Sequence, residues 1–411
     1  MPDTSPAVLV TACSGADDAA LSVIRALGRA GIAVDVLAED HRSLTIHSRY
    51  TQQYFVLPGF THEAEEALAF MRTYASKQTL TPVLFPTADT DLLLLSNNRQ
   101  ELEDCFHLIA PPQDLVTALS DKALFSKLAT ELELPVPRTM TAHDIVDIGV
   151  TCQEIDYPVL LKPSHPDIWR SPDAPGLLLN KKALRVDAPE QLMEVYEKLH
   201  ELDPNLVIQE LVPGPDEEHF DIHVYMDKQG RPINYFTGQK LRIEPPYAGS
   251  GCFVKSRKIP EIAEISLAFL KAMNYTGLAN INFKRHSQTG KYYLLEINPR
   301  VSQWNILATE CGINLALIAY QDATGQAMEG EGVEQETAGR YYLSFHRDWR
   351  AFLEYHRNRD WSWREYLCSL FQTKMVYQVF SRDDFVPMVR QIEHSFKACL
   401  QYARKSLRIF G

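Results

Sequence analysis

Glu296 and Asn298 stand two positions apart, and Arg300 follows at the same interval. On an extended strand, side chains two apart point to one face, so the carboxylate and the amide each offer a hard oxygen in the same direction. Hard oxygens suit Mg²⁺, which keeps part of its coordination shell for substrate phosphates, and the arginine adds a fixed fork of donors for phosphate oxygens. Metal and phosphate chemistry are thus available within one short segment. The alternative for the same spacing is a strand-end acid paired with a neighbouring arginine.

The element that must position these groups is a strand. Tyr292-Tyr293-Leu294-Leu295-Glu296-Ile297 is rich in β-forming residues, and Pro299 cannot extend a ladder, so the acid and the amide are predicted at a strand end. A second strand of buried type, Tyr157 to Pro163, carries Lys162 at its mouth. A buried ammonium is costly unless an anion meets it, and a nucleotide phosphate is a natural anion. Lys122, at the start of a helix predicted from Asp121 through Leu132, would add a second charge. Lys240 and Arg242 occupy alternating positions of a strand that runs into the turn Pro245 to Gly251. They read either as a clamp for a substrate carboxylate or acyl phosphate or as a solvated strand face. Asp89 follows the strand Val83 to Pro86, where open parallel sheets place ligands, and serves equally as a helix N-cap.

The 411 residues leave room for two to three domains, and 45% hydrophobic with 23% charged residues is an ordinary soluble composition. A net charge of −12 and a pI near 5.6 argue against broad nucleic-acid binding, which needs basic stripes. The seven cysteines, Cys13, Cys105, Cys152, Cys252, Cys311, Cys368 and Cys399, form no close pair, so neither a zinc site nor a disulfide framework is expected. Their odd number favours a reducing compartment. The N-terminus lacks the basic start and apolar core of a signal peptide, and no stretch approaches the ~20 apolar residues that span a bilayer. A cytoplasmic protein without membrane or nucleic-acid partners is expected.

Ala7 to Ala12 is an apolar run that ends at Ser14-Gly15, and the following helix carries Ala20, Val23, Ile24 and Leu27 on one face. Gly31 then closes that helix, and Ile32 to Leu37 is a second strand. This βαβ unit predicts a parallel sheet with helices on its faces. Further strands at Leu206 to Val212, stopped by Pro213-Gly214-Pro215, and at Phe220 to Met226 belong to an α+β region of different character. Met328 to Gly339 reads as a linker. The last part holds Trp349, Tyr355, Trp361, Trp363, Tyr366 and Phe371 and ends in a helix from Val386 to about Ile409. Its aromatics are expected to seat it on the body, with a partner surface as the alternative.

Gly277-Leu278-Ala279-Asn280-Ile281-Asn282-Phe283-Lys284, then Gly290 and Glu296 to Arg300, resembles the metal-binding hairpin of the ATP-grasp superfamily, in its carboxylate–amine ligase-like branch. The resemblance extends back through Lys162 and Lys122 to the opening βαβ segment and forward through Gly312 to Gly325. It implies an α/β fold: an N-terminal parallel-sheet βαβ (pre-ATP-grasp) domain over 1–117, a two-subdomain α+β ATP-grasp fold over 118–327 and a helical C-terminal tail over 328–411. The two subdomains would divide at 205/206.

The resemblance also implies ATP and Mg²⁺ as cofactors, with Lys122 and Lys162 on the nucleotide phosphates. Gln209-Glu210-Leu211-Val212 becomes the adenine hinge, and Glu218, with Asp216 close behind, the acid that holds the ribose. Asn282 faces Glu296 across the hairpin, where relatives carry Asp or Glu; Arg300 and Lys162 are the catalytic cations. Asp89 borders the cleft, the segment from Arg300 through Trp304 and Asn305 places substrate over the γ-phosphate, with Trp304 and Asn305 either facing the acceptor or packing in the core, and Ser381 to Pro387 matches the closing motif of the branch.

Two departures stand out. Ser164 to Gly176, with Pro166, Pro172 and Pro175, replaces a glycine-rich phosphate loop, so that cover would come from side chains such as His165 or Arg170. Asn282 brings no negative charge, which weakens metal affinity, and Asn282→Asp is expected to tighten Mg²⁺ binding. The implied activity is ATP-dependent ligation of a small-molecule carboxylate to an amine through an acyl phosphate. The alternatives are a small-molecule kinase of the same fold and a non-catalytic nucleotide sensor or scaffold.

Overall fold

The computed structural model describes residues 5–409 apart from 14, 61–62, 143–144, 164–167, 171–177, 179–182, 204–205, 329–334 and 336–338. β1 (Val8–Ala12) is buried throughout, and a turn at Gly15, whose φ of +84° suits a residue without Cβ, leads into the helix Asp17–Gly28. That helix puts Asp17 and Asp18 in its first turn and Arg25 in its last, as the helix dipole favours. β2 (Val34–Ala38), β3 (Thr51–Val56), β4 (Val83–Phe85) and β5 (His107–Leu108) complete an all-parallel sheet of order β3-β2-β1-β4-β5. Val8, Val10 and Ala12 face the helix Asp17–Gly28, while Leu9 faces the helix Ala64–Ala75 on the other side, so the doubly covered layer follows from alternation within a strand that is apolar except at Thr11.

β6 (Thr139–Ala142), β7 (Val159–Lys162), β8 (Leu184–Val186) and β9 (Leu206–Glu210) form a second, antiparallel sheet of order β6-β9-β7-β8. Val159, Leu161, Leu206 and Ile208 turn to one face and bury against Ile148, Leu192 and Tyr196 of two covering helices. Alternation then sends Lys162 and Gln209 to the opposite face.

The third sheet has seven strands in the order β14-β13-β10-β11-β12-β15-β16. They are β10 (His219–Met226), β11 (Pro232–Glu244), β12 (Ser250–Ser256), β13 (Gly277–Arg285), β14 (Tyr292–Asn298), β15 (Tyr341–Leu343) and β16 (Met375–Tyr377). Phe220, Ile222 and Val224 of β10 pack with Ile281, Phe283 and Leu294 beneath the helix Pro260–Ala272. The intervening residues His219, Asp221 and His223 are equally buried, so β10 carries an apolar face and a buried polar one.

The segment expected as a helical tail does more than pack on the body, since β15 and β16 extend this third sheet before the helix Val386–Ile409 begins. Its aromatics bear on one buried cation. Arg242 is fully buried and donates from Nε and Nη2 to the two carboxylate oxygens of Asp348 at 2.7 and 2.9 Å, and from Nη1 to the Ser369 hydroxyl at 2.9 Å. Its guanidinium lies 4.4, 4.6 and 4.9 Å from the ring centres of Phe253, Trp361 and Tyr366. The reading of Arg242 as a substrate clamp is therefore corrected. A bulge follows Lys240 in the pairing with β12, and the helix Phe345–Arg357 covers the strand end where Arg242 sits. Phe371 departs from the seating role, with 84% of its surface exposed. Among the described residues no helix is long and apolar enough to cross a membrane.

Candidate active site

The hairpin register sets Asn282 opposite Glu296 and Asn280 opposite Asn298, and on the other side of β13 sets Asp221 opposite Asn282 and His223 opposite Asn280. Asn282, Glu296 and Asn298 therefore share one face of the sheet, Asn282 buried, Asn298 half-buried and Glu296 exposed. Asn298 Nδ2 approaches Glu296 Oε1 at 3.2 Å and Asn280 Oδ1 at 3.5 Å, and Asn282 Nδ2 donates to Asn280 Oδ1 at 3.3 Å. The oxygen of Asn282 is engaged elsewhere: it accepts from Lys240 Nζ, which also lies 2.8 Å from Asp221 Oδ1. Lys240 is only 4% exposed, so its partners are these two groups rather than solvent. Asp221 and Asn280 were missed in the sequence. Their signal is polar residues at every second position of strands otherwise apolar enough for a core.

Lys162 ends β7 and donates to Gln209 Oε1 at 2.7 Å. Burial pulls its pKa down, and Glu296 works in the opposite direction. Lys122 opens the helix Lys122–Glu131 and donates to the carbonyl of Pro163. Burial, with the Lys162 charge adding to it, brings Lys122 down to about 8, against the opposing pull of Glu296 and Asp203. Both lysines thus feel the Glu296 carboxylate, so the second sheet turns its cations toward the hairpin end of the third. His165 and the prolines 166, 172 and 175 lie outside the described residues, as does the side chain of Arg170, and with them the question of phosphate cover.

At the end of β9, the Glu210 N–H donates to the Arg138 carbonyl at 2.9 Å and the Leu211 N–H to the Pro158 carbonyl at 3.0 Å. Those two donors continue the sheet; Val212, the third hinge residue, is buried just beyond it. Glu218, expected to hold the ribose, is engaged by a partner of the chain itself. Arg285, at the end of β13, holds both Glu218 oxygens at 2.6 and 3.0 Å. Asp216 is equally committed, accepting from the Tyr355 hydroxyl at 2.6 Å and the Tyr247 N–H at 2.8 Å. A tight turn over Asp216–Glu218 aims both acids at neighbouring strands and at the C-terminal region.

Arg300 grips Asp89 with Nε to Oδ1 at 2.6 Å and Nη2 to Oδ2 at 2.8 Å, joining the hairpin to the first sheet. The helix cap considered for Asp89 falls to Asp91, whose carboxylate accepts from the N–H groups of Thr87 and Ala88 at 3.0 and 2.8 Å. Trp304 and Asn305, open to either a substrate or a core role, are 2% and 1% exposed. Trp304 rests 4.0 Å from the His223 ring and against Gly238, where an added Cβ would meet its ring at 2.9 Å.

Two antiparallel-rich sheets closing on a cleft, preceded by a parallel βαβ layer, define an ATP-grasp fold. The family described as ATP-grasp in the biosynthetic pathway with Ter operon matches residues 245–342. A D-aspartate ligase of Enterococcus faecium is 26% identical over 320 residues, which is 74% of each chain. Carbamoyl phosphate synthase large chains also match, but this chain spans only about a fifth of their length, as with the 22% covered in Halomonas eurihalina. Among solved structures, an L-amino acid ligase from Bacillus licheniformis has a TM-score of 0.61 at 15% identity, with 82% of this chain and 80% of that one covered. The biotin carboxylase domain of the Hydrogenobacter thermophilus 2-oxoglutarate carboxylase has a TM-score of 0.63 at 16% identity, over 81% and 73%. The chain is thus similar to ATP-grasp proteins, a carboxylate–amine ligase among them, in sequence and in fold.

Proposed function

We propose that the protein is an ATP-dependent ligase that joins a carboxylate to an amine through an acyl phosphate. The observation that carries this reading is the convergence of Lys122, Lys162 and Glu296 on one cleft, with Arg300 at its rim. Two lysines with depressed pKa values and no full counter-charge make a site that gains from an anion. The names of the two ligase relatives, for D-aspartate and L-amino acids, support an amino-acid-like substrate.

Glu296 and Asn298 fit a single Mg²⁺. One exposed carboxylate and one amide, held by contacts of 3.2 and 3.5 Å that an ion would readily displace, suit a cation that keeps waters and phosphates in its shell. When bound, it would draw off negative charge developing on the phosphate oxygens. Lys162 and Lys122 would neutralise the phosphate tail, and the Arg300 fork would change partner from Asp89 to the transferring group. A carboxylate oxygen attacks the γ-phosphorus while the bond to the ADP oxygen breaks; the amine nitrogen then attacks the acyl carbon and phosphate leaves with the C–O electron pair. Positioning and electrostatics carry both steps, so no protein nucleophile is required.

The test is steady-state ADP release against a panel of amino acids, small acids and amines, with products identified by mass spectrometry. Sustained ADP release that needs both an acid and an amine, with an amide formed, is the expected result. ADP with a phosphorylated acceptor and no amide would instead indicate a kinase. ATP binding without turnover on any pair would favour the sensor reading.

A further inference from the structure

Asn282 sits in register between Asp221 on β10 and Glu296 on β14, and a cation of the chain itself occupies its amide oxygen. Lys240 Nζ is 2.8 Å from Asp221 Oδ1 and donates to Asn282 Oδ1; the three residues are 4%, 1% and 6% exposed. Donor chemistry dictates how the amides turn. An ammonium can only donate, so Asn282 directs its oxygen to Lys240 and its NH₂ to Asn280 Oδ1 at 3.3 Å, and Asn280 in turn directs Nδ2 to Asp221 Oδ2 at 3.5 Å. The charge of Asp221 is thus answered by Lys240, and Asn282 adds none. On this side of the hairpin the sum is near zero and a positive head is already seated. A divalent ion brought here would meet a fixed ammonium and no unpaired carboxylate. On the other side, Glu296 carries the hairpin's exposed carboxylate.

We propose that the Lys240 ammonium, held by Asp221 and Asn282, is a built-in cation that takes the place of a second metal ion, so that the site binds one divalent ion per nucleotide through Glu296 and Asn298. This rests on the reading of the cleft as an ATP site. It also revises the expectation that Asn282→Asp tightens Mg²⁺ binding: the new carboxylate would face Lys240 Nζ and form an ion pair with it, leaving the metal affinity unchanged. A ligand appears there only if the lysine goes as well.

The experiment is Mn²⁺ binding to the ADP-loaded protein, read by equilibrium dialysis and by the electron paramagnetic resonance signal of free Mn²⁺, with ADP occupancy measured in the same samples. One ion per bound ADP is expected for the native chain and for Asn282→Asp, and a second for the Lys240→Met/Asn282→Asp double variant. Two ions of comparable affinity in the native chain would overturn the proposal, as would a second ion in Asn282→Asp alone. Should the double variant not fold, the first two stoichiometries still decide. A chain that binds no ADP overturns the ATP-site reading itself, whereas ADP bound with two ions overturns only the built-in cation.

Discussion

Arg25 Nε and Asp384 Oδ2 meet at 2.9 Å with both side chains sealed from solvent, although 359 positions separate them. Arg25 also donates to the carbonyls of Val379 and Asp384 at 2.6 and 3.0 Å, while Asp384 accepts from the Ser48 hydroxyl and the Arg49 N–H, each at 2.8 Å. Beside them Asp383 holds Arg29 through two contacts of 2.9 and 3.0 Å, and the Arg29 hydrogen bonds keep its carboxyl well below the usual range. The closing motif Ser381 to Pro387, whose purpose no local rule supplies, is a clasp that fastens the C-terminal region to the helix Asp17–Gly28. Asp384→Ala would leave a buried guanidinium without its partner and is expected to cost about 3–5 kcal/mol in urea denaturation. The Arg25→Met/Asp384→Leu pair should lose much less, because no charge is then stranded.

Arg242 gives a second test of structure against function. Arg242→Ala strands Asp348 in a site with no exposure and empties an aromatic cage, so a loss of about 3–5 kcal/mol is expected in equilibrium unfolding. A residue that clamped substrate would instead raise KM while leaving the unfolding midpoint in place. The two measurements on one variant separate these roles.

The difference between Lys240 and Arg242 marks where the sequence ceases to be legible. Alternation alone predicts both on one strand face, but the bulge between them pairs Lys240 with Val254 and Arg242 with Phe253, adjacent residues of β12 that face opposite sides; what covers each is decided by Asp221 nearby and by Asp348, 106 positions on. Glu218 likewise is paired by Arg285, 67 positions away. The hairpin was legible because its message is local: a two-residue period fixes which side chains share a face, and Pro299 fixes where the ladder stops. β15 and β16 escaped because three residues each are too few to show alternation, and their partners lie across the sheet. The helix Val386–Ile409, long enough for its period to show, was read at its observed bounds.

Arg300→Lys should separate binding from catalysis. The guanidinium fork holds Asp89 through two bonds, and the lysine point charge cannot reproduce that geometry toward either Asp89 or a phosphoryl group. Because the Asp89 side chain is about half exposed, the pair itself adds only ~0–1 kcal/mol of stability. The melting temperature is therefore expected to stay close to that of the native chain while kcat falls by roughly 10²-fold or more, the size of effect seen when one transition-state donor is lost. An unchanged kcat would remove Arg300 from the transferring group.

Lys122 makes the site sensitive to alkaline pH. Burial and the Lys162 charge bring it down to about 8 from the 10.5 of a free lysine, so between these values the unfolded chain holds a proton that the folded chain has lost. Stability should accordingly rise with pH across that window, while below it both states are protonated and the folded chain bears the full penalty. Nucleotide binding reverses the sign locally. A phosphate tail beside Lys122 restores the reason to be charged, so ADP binding near pH 9 should take up a proton, and affinity should weaken as pH climbs past about 8. Calorimetry in two buffers of different ionisation enthalpy reads that uptake directly. In Lys122→Gln it should vanish, and an uptake that persists there would assign the proton to another group.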